Sequence, residues 1–408
     1  KGDWSRGRLD NLAERWRLRQ EKLGAIHSRL RGVQIESRDA LDIIQEWDGD
    51  DVVFYCLHPE TEIRTMDETL VPVKELLHGT QLHTGGEVLN ISSRNHSGNL
   101  VRITAMGVME PLLVTPEHKI LSLTNNGLES VEAGNLTAGC SVFVPVGTDQ
   151  KGVFIEDEVA RVIGYYAAEG HLQFYKGDPT IVCFSFNRNE EHTWVADCVK
   201  CIKTAFNFDA KVRQGPADSV LQVTINSRPI AAWFATNIPG KRDTKHLASN
   251  VMKINPYCQF DILRAWLRGD GTCEISSGNR VKLSGTTVSL TMAKQFYAIA
   301  LRCGLKPSLK LRTKNPVNLL AYDVYFARED TLKLGWEVPD GKSRSKRSII
   351  DGKICTPITK IEYIQYNGPV FDITVSADAH LYGAPWILVH NCDPPYILDT
   401  RSKRKYYA

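Results

Sequence analysis

The spacing of apolar residues predicts blocks of helix and strand along the chain. From Asn11 to Leu30, apolar residues recur at helical intervals. From Cys56 to about Val146 the pattern changes to short extended runs separated by Gly, Asn and Pro, and it returns from Ile358 to Val389. A β domain that is interrupted by an inserted segment accounts for this order.

The middle of the chain, about residues 156–330, contains an internal duplication with a period of about one hundred residues. Each copy has the order helix, two strands, helix, two strands. The predicted elements are Glu158–Glu169, Leu172–Tyr175, Thr180–Phe186, Glu190–Phe206, Ala210–Gln214 and Val220–Ile225 in the first copy, and Asp261–Asp270, Thr272–Ser276, Arg280–Leu283, Val288–Cys303, Ser308–Arg312 and Ala321–Phe326 in the second. Two copies in one chain form a pseudo-dimer, so we expect a monomer that suits a substrate with approximate twofold symmetry, such as duplex DNA.

Composition is that of an ordinary globular protein. Of 408 residues, 42% are hydrophobic and 24% are charged, and the net charge of +3 means that a nucleic-acid contact requires a local basic face. No run approaches the roughly 18 apolar residues of a membrane helix, so we expect no membrane contact. The ten scattered cysteines predict no disulfide framework, which favours a reduced, cytoplasmic setting. We also expect the chain to be a fragment of a longer protein.

The first helix of each copy ends in an acid followed by glycine, as Glu169-Gly170 and Asp270-Gly271. An acid in the last turn is disfavoured by about 0.3–1 kcal/mol because the helix end is negative. We expect each glycine to form a left-handed C-cap. Small residues one turn apart, which allow two helices to pack closely, are Gly164, Ala168, Ala265 and Gly269. Packed helices would bring the two carboxylates together, and divalent cations would relieve their repulsion, as in two-metal phosphodiester hydrolysis.

The segments Val162–Gly170 and Ile262–Gly271 resemble the two signature helices of LAGLIDADG homing endonucleases. The resemblance implies a saddle of two β sheets on double-stranded DNA, with Mg²⁺ held by Glu169 and Asp270. The first motif ends in Glu where the family pattern has Asp. A second possibility therefore remains, that the segment is a decayed endonuclease, which retains the fold but no longer cleaves DNA.

The same resemblance implies a catalytic lysine before the second motif. Lys245 lies in the corresponding segment and is our candidate. Lys241 and Lys253 are neighbouring alternatives.

A second set of reactive residues lies at the two ends of the segment from Cys56 to Asn391, which we call the block. Cys56 is its first residue, and His390-Asn391-Cys392 stands at its end. Cysteine is the best nucleophile at neutral pH, and its pKa near 8.5 is lowered by a basic neighbour. An asparagine can attack its own backbone carbonyl through the side-chain amide and cleave the chain after itself. A histidine before it can polarise that carbonyl or protonate the leaving amine.

Inside the block, a Thr hydroxyl and a His three residues on, Thr115 and His118, can face one peptide as oxyanion donor and general acid. The whole set resembles an intein. The matching segments are Cys56-Leu-His-Pro-Glu-Thr, Thr115-Pro-Glu-His118, Val370-Phe-Asp372-Ile-Thr-Val, His380, and Val389-His-Asn391 followed by Cys392. The resemblance covers the 336 residues from 56 to 391, with the endonuclease in the usual internal position.

The resemblance implies autocatalytic splicing that needs no cofactor. Cys56 Sγ attacks the Tyr55 carbonyl and replaces the amide by a thioester, while Thr115 and His118 stabilise the tetrahedral intermediate and the departing amine.

The later steps release the block and join its flanks. Cys392 takes the acyl group by transthioesterification, a step in which family members use an acid at the position of Asp372. Asn391 then cyclises to a succinimide, assisted by His380 and His390. A spontaneous S-to-N shift leaves a normal peptide bond between the flanks.

Removal of residues 56–391 joins the apolar run Val52–Tyr55 to Cys392-Asp-Pro-Pro-Tyr396. The joined sequence, which we call the seam, resembles the catalytic motif of DNA adenine methyltransferases. The resemblance implies that Asp393 and the carbonyl of Pro394 accept hydrogen bonds from a flipped adenine, and that Tyr396 stacks on its ring. The complete host enzyme would use S-adenosylmethionine, but its 72 residues in this chain contain no glycine-rich motif for that cofactor.

We therefore predict a mostly β splicing domain of the Hedgehog and intein type, split by an α+β LAGLIDADG pseudo-dimer, with short α/β host flanks. The predicted domains are the N-terminal host flank 1–55, the first half of the splicing domain 56–150, the endonuclease 151–330, a linker with the second half of the splicing domain 331–391, and the C-terminal host flank 392–408. Two alternatives stay open: a DNA endonuclease or maturase without splicing, and a Hedgehog-like autoprocessing domain, which needs no terminal Asn.

Overall fold

The computed structural model describes residues 56–147, 152–276, 280–312, 320–340, 345–376 and 381–391. The predictions for both host flanks lie outside the described residues, as do those for His380, Cys392, Asp393, Pro394 and Tyr396.

Strands outnumber helices in the described ranges, which confirms the prediction of a mostly β chain. The strands are β1 Glu62–Arg64, β2 Leu70–Pro72, β3 Val88–Ala105, β4 Leu112–Val114, β5 Lys119–Thr124, β6 Gly127–Glu132, β7 Ser141–Pro145, β8 Gly170–Tyr175, β9 Asp178–Asn187, β10 Lys211–Gln214, β11 Val220–Asn226, β12 Gly271–Ser276, β13 Arg280–Thr287, β14 Ser308–Arg312, β15 Ala321–Ala327, β16 Ser348–Ile350, β17 Lys353–Val375, β18 Leu381–Ala384 and β19 Ile387–His390. The helices are α1 Asp157–Glu169, α2 Ala196–Phe206, α3 Arg228–Asn237, α4 Ser249–Met252, α5 Pro256–Asp270, α6 Leu290–Arg302 and α7 Arg328–Lys333. None of these helices is long and apolar enough to cross a membrane.

The largest sheet contains strands from both ends of the described chain. Its order is β18-β19-β5-β7-β17-β3-β4, with β16 beside β17 and β6 beside β5. The long strands β3 and β17 run antiparallel, in a register that extends from Ile358 opposite Ala105 to Val375 opposite Val88. Side chains alternate between the two faces of such a ribbon, and buried residues such as Ile103 and Ile373 face the core.

The duplicated segment forms two four-stranded antiparallel sheets, with orders β10-β11-β9-β8 and β12-β13-β15-β14. When each copy's strands are numbered along the chain, the two orders are identical. The predicted elements are present with small shifts in their ends, and α5 begins earlier than expected, at Pro256, behind an Asn255 side chain that accepts from the Tyr257 N–H. The predicted helix Glu190–Phe206 is α-helical only from Ala196.

The prediction of left-handed glycine caps is wrong. Gly170 has φ −84° and Gly271 has φ −91°, which is extended backbone in both cases. The reason is that each helix passes directly into a strand, β8 or β12, and a strand requires an extended residue at that point. Glycine is still needed, because a Cβ on Gly170 would collide with the Tyr166 ring and one on Gly271 with the Leu267 carbonyl.

Candidate active sites

Cys56 lies against the turn that joins β4 to β5. Its backbone N–H, which belongs to the Tyr55–Cys56 peptide bond, donates to Thr115 Oγ1 at 3.2 Å, and its carbonyl accepts from the Thr115 N–H at 2.9 Å. The Cys56 residue is 2% exposed, and Thr115 is fully buried. The Thr115 hydroxyl therefore contacts the nitrogen of the peptide bond that precedes Cys56.

His118 completes the same turn. Its backbone N–H donates to the Thr115 carbonyl at 3.0 Å, and its side chain is fully buried. The two residues of the Thr-x-x-His motif thus lie in one turn, at the position where β5 begins, and Thr115 contacts Cys56.

Two charged side chains, those of Asp372 and Arg94, flank the Cys56 thiol. Leu57 forms an antiparallel bridge with Phe371, with N–H to O distances of 2.7 and 2.9 Å, and this pairing brings Asp372 close to the thiol. Burial raises the pKa of Cys56 to about 12, and the Asp372 carboxylate also raises it. The Arg94 side chain hydrogen-bonds the thiol and opposes this shift.

Arg94 was not among the site residues that the sequence predicted. It lies on β3 opposite Val370 of β17, so only the pairing of two strands far apart in sequence brings it to Cys56. A single arginine on a predicted strand carries no local signal of such a role.

His390 and Asn391, at the end of β19, are in direct contact. His390 Nδ1–H donates to the Asn391 carbonyl oxygen at 2.7 Å, and that carbonyl belongs to the Asn391–Cys392 peptide bond. Asn391 is 1% exposed, and its side-chain oxygen has no hydrogen-bond partner among the described residues.

The turn before β5 and β5 itself contact both Cys56 and the strand that precedes Asn391. β19, which ends at His390, pairs with β5 through Val389 opposite Ile120. β5 begins directly after His118, and the turn before it holds Cys56. Cys56 and the strand that precedes Asn391 are therefore both in contact with one short stretch of chain, through Thr115 and Ile120.

The first helices of the two copies pack together at their small residues. A Cβ on Gly164 would lie 2.6 Å from Ala265 Cβ, and one on Gly269 would lie 2.6 Å from Ala168 Cβ. Neither position has room for a larger residue, so the backbones of α1 and α5 are in close contact.

This packing brings Glu169 and Asp270 together. Burial and the charge of Asp270 raise the pKa of Glu169 to about 8, and burial raises the pKa of Asp270 to about 7. Trp266 Nε1–H donates to Asp270 Oδ2 at 3.1 Å and fixes that carboxyl group. The carboxylate form of both acids is thus disfavoured, and the nearby Lys245 ammonium offsets this only in part.

Lys245 lies at the same helix ends. Its Nζ donates to the carbonyls of Tyr166, Ala167 and Gly170 at 3.0, 3.2 and 2.7 Å, so it caps the negative end of α1. Burial lowers the pKa of Lys245 to about 8, although Asp270 and Glu169 oppose this shift.

The alternative lysines lie elsewhere. The Lys241 ammonium is 4.9 Å from the centre of the Phe174 ring, and Lys253 lines a cavity of about 600 Å³ together with Asp67. Of the three candidates, Lys245 is the one that contacts the end of α1.

The donor set at the helix ends suits a hard divalent cation. Glu169 and Asp270 supply carboxylate oxygens, which Mg²⁺ prefers, and a magnesium ion usually completes its shell with water and substrate phosphate. The described residues contain no group of three or more His, Cys, Asp or Glu side chains that could hold a metal by themselves. Glu169 and Asp270 could therefore supply part of the coordination shell of such an ion.

Comparison with known proteins finds distant relatives. No family model matches the chain. An iron-sulfur cluster assembly SufBD family protein of Mycobacterium tuberculosis is 24% identical over 372 residues, which cover 83% of this chain and 43% of that protein. An uncharacterized protein of Methanocaldococcus jannaschii is 24% identical over 264 residues, 59% of this chain and 29% of that protein. The chain thus spans less than half the length of these relatives.

Solved structures similar to parts of the chain include the homing endonuclease I-DmoI in complex with DNA and Mn, with 12% identity and a TM-score of 0.33. That match covers 45% of this chain and 98% of I-DmoI. The gp41-1 intein is 21% identical with a TM-score of 0.19, over 22% of this chain and 70% of the intein.

Proposed function

We propose that residues 56–391 are a self-splicing intein that contains a Mg²⁺-dependent LAGLIDADG homing endonuclease. The observation that carries the proposal is that Cys56 bonds Thr115 while Val389, two residues before Asn391, pairs with Ile120 of the adjoining strand β5. Splicing requires an acyl group to pass from one junction to the other, so the two must lie close together. In this reading the β domain is split by residues 151–330, with halves at 56–150 and 331–391.

The first step needs the Cys56 thiol to attack the Tyr55 carbonyl and the Cys56 nitrogen to leave. A thiol with a pKa of about 12 is protonated at neutral pH, so it must lose its proton as it attacks, and in net terms that proton ends on the Cys56 nitrogen as this nitrogen leaves. Thr115 Oγ1 holds the nitrogen that leaves, and His118 is the candidate acid that protonates it. Arg94, through its hydrogen bond to the thiol, stabilises the developing thiolate.

The last cleavage needs a more electrophilic Asn391 carbonyl. The His390 Nδ1–H donor at 2.7 Å draws electron density from that carbonyl while the Asn391 side-chain nitrogen attacks it. The C–N bond to Cys392 breaks, its nitrogen takes a proton, and Asn391 becomes a succinimide. His380 is the second proposed assistant in this step.

At the helix ends, Glu169 and Asp270 would hold Mg²⁺, which supplies charge neutralisation for phosphodiester hydrolysis. Lys245 would place its cation beside the same DNA phosphate, because its Nζ is held by three carbonyls at the end of α1. Double-stranded DNA would lie on the two four-stranded sheets.

The host is proposed to be a DNA adenine methyltransferase whose Asp393, Pro394 and Tyr396 motif is restored at the seam. The M. tuberculosis relative matches 83% of this chain and 43% of its own length. That relative's name concerns iron–sulfur cluster assembly, and a difference between hosts is expected when only the guest is shared.

Two other functions are less well supported. An endonuclease or maturase without splicing leaves the contact between Cys56 and Thr115 and the hydrogen bond from His390 to Asn391 without a purpose. A Hedgehog-like autoprocessing domain uses the Cys56 side of the site but has no need of Asn391.

Replacement of Asp372 by asparagine is expected to have opposite effects on two steps. Because the Asp372 carboxylate raises the Cys56 pKa, its neutralisation should increase thioester formation, by up to about tenfold if the pKa falls by one unit. Ligation should fall, since transthioesterification loses its acid. Thioester formation is measured as dithiothreitol-induced release of residues 1–55 in an Asn391→Ala background.

The exposed Asp218→Asn substitution is the matched control and should change neither step. Slower thioester formation in Asp372→Asn would contradict the assigned electrostatics.

A further inference from the structure

The C-terminal hairpin β18–β19 carries His390 and Asn391, and its turn contains Trp386. The Trp386 residue is 1% exposed. β19 has one registered pair with β5, at Val389 and Ile120, and its buried residues Ile387 and Val389 pack in the core. The contacts of Trp386 add to these in holding the hairpin.

Trp386 is held partly from the duplicated segment. Its ring centre is 4.8 Å from that of Tyr297 on α6, edge to face at 72°. Its Nε1–H donates to Glu110 Oε2 at 3.0 Å, and the Arg64 guanidinium lies 5.4 Å from its ring. A buried tryptophan with both its ring and its N–H engaged is a strong anchor.

Lys294, one turn before Tyr297 on the same face of α6, fixes the acceptor of that hydrogen bond. Its Nζ lies 2.8 Å from Glu110 Oε1 and 2.6 Å from Glu62 Oε2. The Lys294 side chain is only 13% exposed. Its loss would leave two poorly solvated carboxylates facing each other, and Glu110 would move away.

We propose that Lys294 and Tyr297 are positioning residues for cleavage at Asn391, acting through Glu110 and Trp386. The inference rests on the proposed splicing function and extends it, because it makes the endonuclease segment a structural part of one splicing step. A shift of about 1 Å in a reacting group can reduce a rate by about 100-fold. The contacts of Cys56 with Thr115 and of Leu57 with Phe371 do not involve α6, so the first step should be independent.

The test measures the two junctions separately. Release of the C-terminal flank is followed by mass spectrometry in a Cys56→Ala background, and dithiothreitol-induced release of residues 1–55 is followed in an Asn391→Ala background. We expect Lys294→Met to slow C-terminal release by about tenfold or more and to change N-terminal release by less than about twofold. Lys294→Arg should restore C-terminal release, since it keeps both ion pairs. Tyr297→Leu, which keeps the charge and removes the ring contact, should also slow C-terminal release.

Lys306→Met is the matched control. Lys306 lies in the same segment, its side chain is 10% exposed, and it pairs with Glu329 at 2.6 Å. Equal rates for Lys294→Met and Lys306→Met, or a parallel loss at both junctions, would overturn the inference. If the backgrounds with Lys294 intact cleave at neither junction, the proposed function itself fails and the inference fails with it.

Discussion

Alanine at Asn391 and alanine at Cys56 are expected to give opposite products. Asn391→Ala should retain the bond to Cys392, because no side-chain amide remains to attack the carbonyl that His390 polarises. The chain should still form the Cys56 thioester and lose residues 1–55 when a thiol is added. Ligated product should fall by at least about a thousandfold, to the level of uncatalysed cleavage.

Cys56→Ala should do the reverse. The N-terminal junction stays intact because the nucleophile is absent, while Asn391 can still cyclise and release the C-terminal flank. The double variant should remain a single chain. Electrophoresis with mass spectrometry distinguishes the four chains.

The controls for this pair are Cys273→Ala and Asn367→Ala, which replace exposed residues of the same types. Both should splice as the parent does. If Asn391→Ala still releases the C-terminal flank at the parental rate, the assigned cleavage chemistry is wrong.

Asp270→Asn is expected to abolish DNA cleavage and to stabilise the protein without metal. The pKa of Asp270 is raised to about 7, so above that pH the folded state carries a carboxylate that burial disfavours, whereas the unfolded state ionises near pH 4. Asparagine removes this cost, and its side-chain oxygen can still accept from Trp266 Nε1–H. The melting temperature at pH 8 without Mg²⁺ should therefore rise.

Added Mg²⁺ should raise the melting temperature of the parent but not of Asp270→Asn. Nicking of a plasmid that carries the uninterrupted host gene should fall by at least about 100-fold. The exposed Asp178→Asn substitution should cut and melt as the parent does. Equal cutting by parent and Asp270→Asn would remove Asp270 from the metal site.

The sequence predicted most of the duplicated segment because its elements are local. Helices α1 and α5 follow apolar residues at helical spacing and end where the acid and glycine stand. It did not predict the length of β17, because only short extended runs were expected from Ile358 to Val389, and Gly368 and Pro369 are unfavourable inside a strand. Pairing with β3 carries the strand through both residues.

The sequence suggested the candidate reactive residues but not the contacts around them. Arg94, Glu110 and Lys294 are single charged residues whose contacts depend on strands and helices that meet only in the folded chain. The choice of Lys245 among three lysines likewise required the end of α1 as a reference. The prediction of left-handed glycine caps was wrong for a related reason. The strand that follows each helix determines the φ angle of Gly170 and of Gly271.

The junction peptide of the purified products tests excision and ligation together. Trypsin would cut the spliced flanks after Arg38 and Arg401, which gives a peptide that runs from Asp39 to Tyr55 and continues directly with Cys392 to Arg401. If the chain splices itself, tandem mass spectrometry should find this peptide, together with a released block that begins at Cys56 and ends at Asn391. Tyr55 found only in peptides that continue into Cys56, from protein whose helical and strand content shows that it is folded, would contradict it.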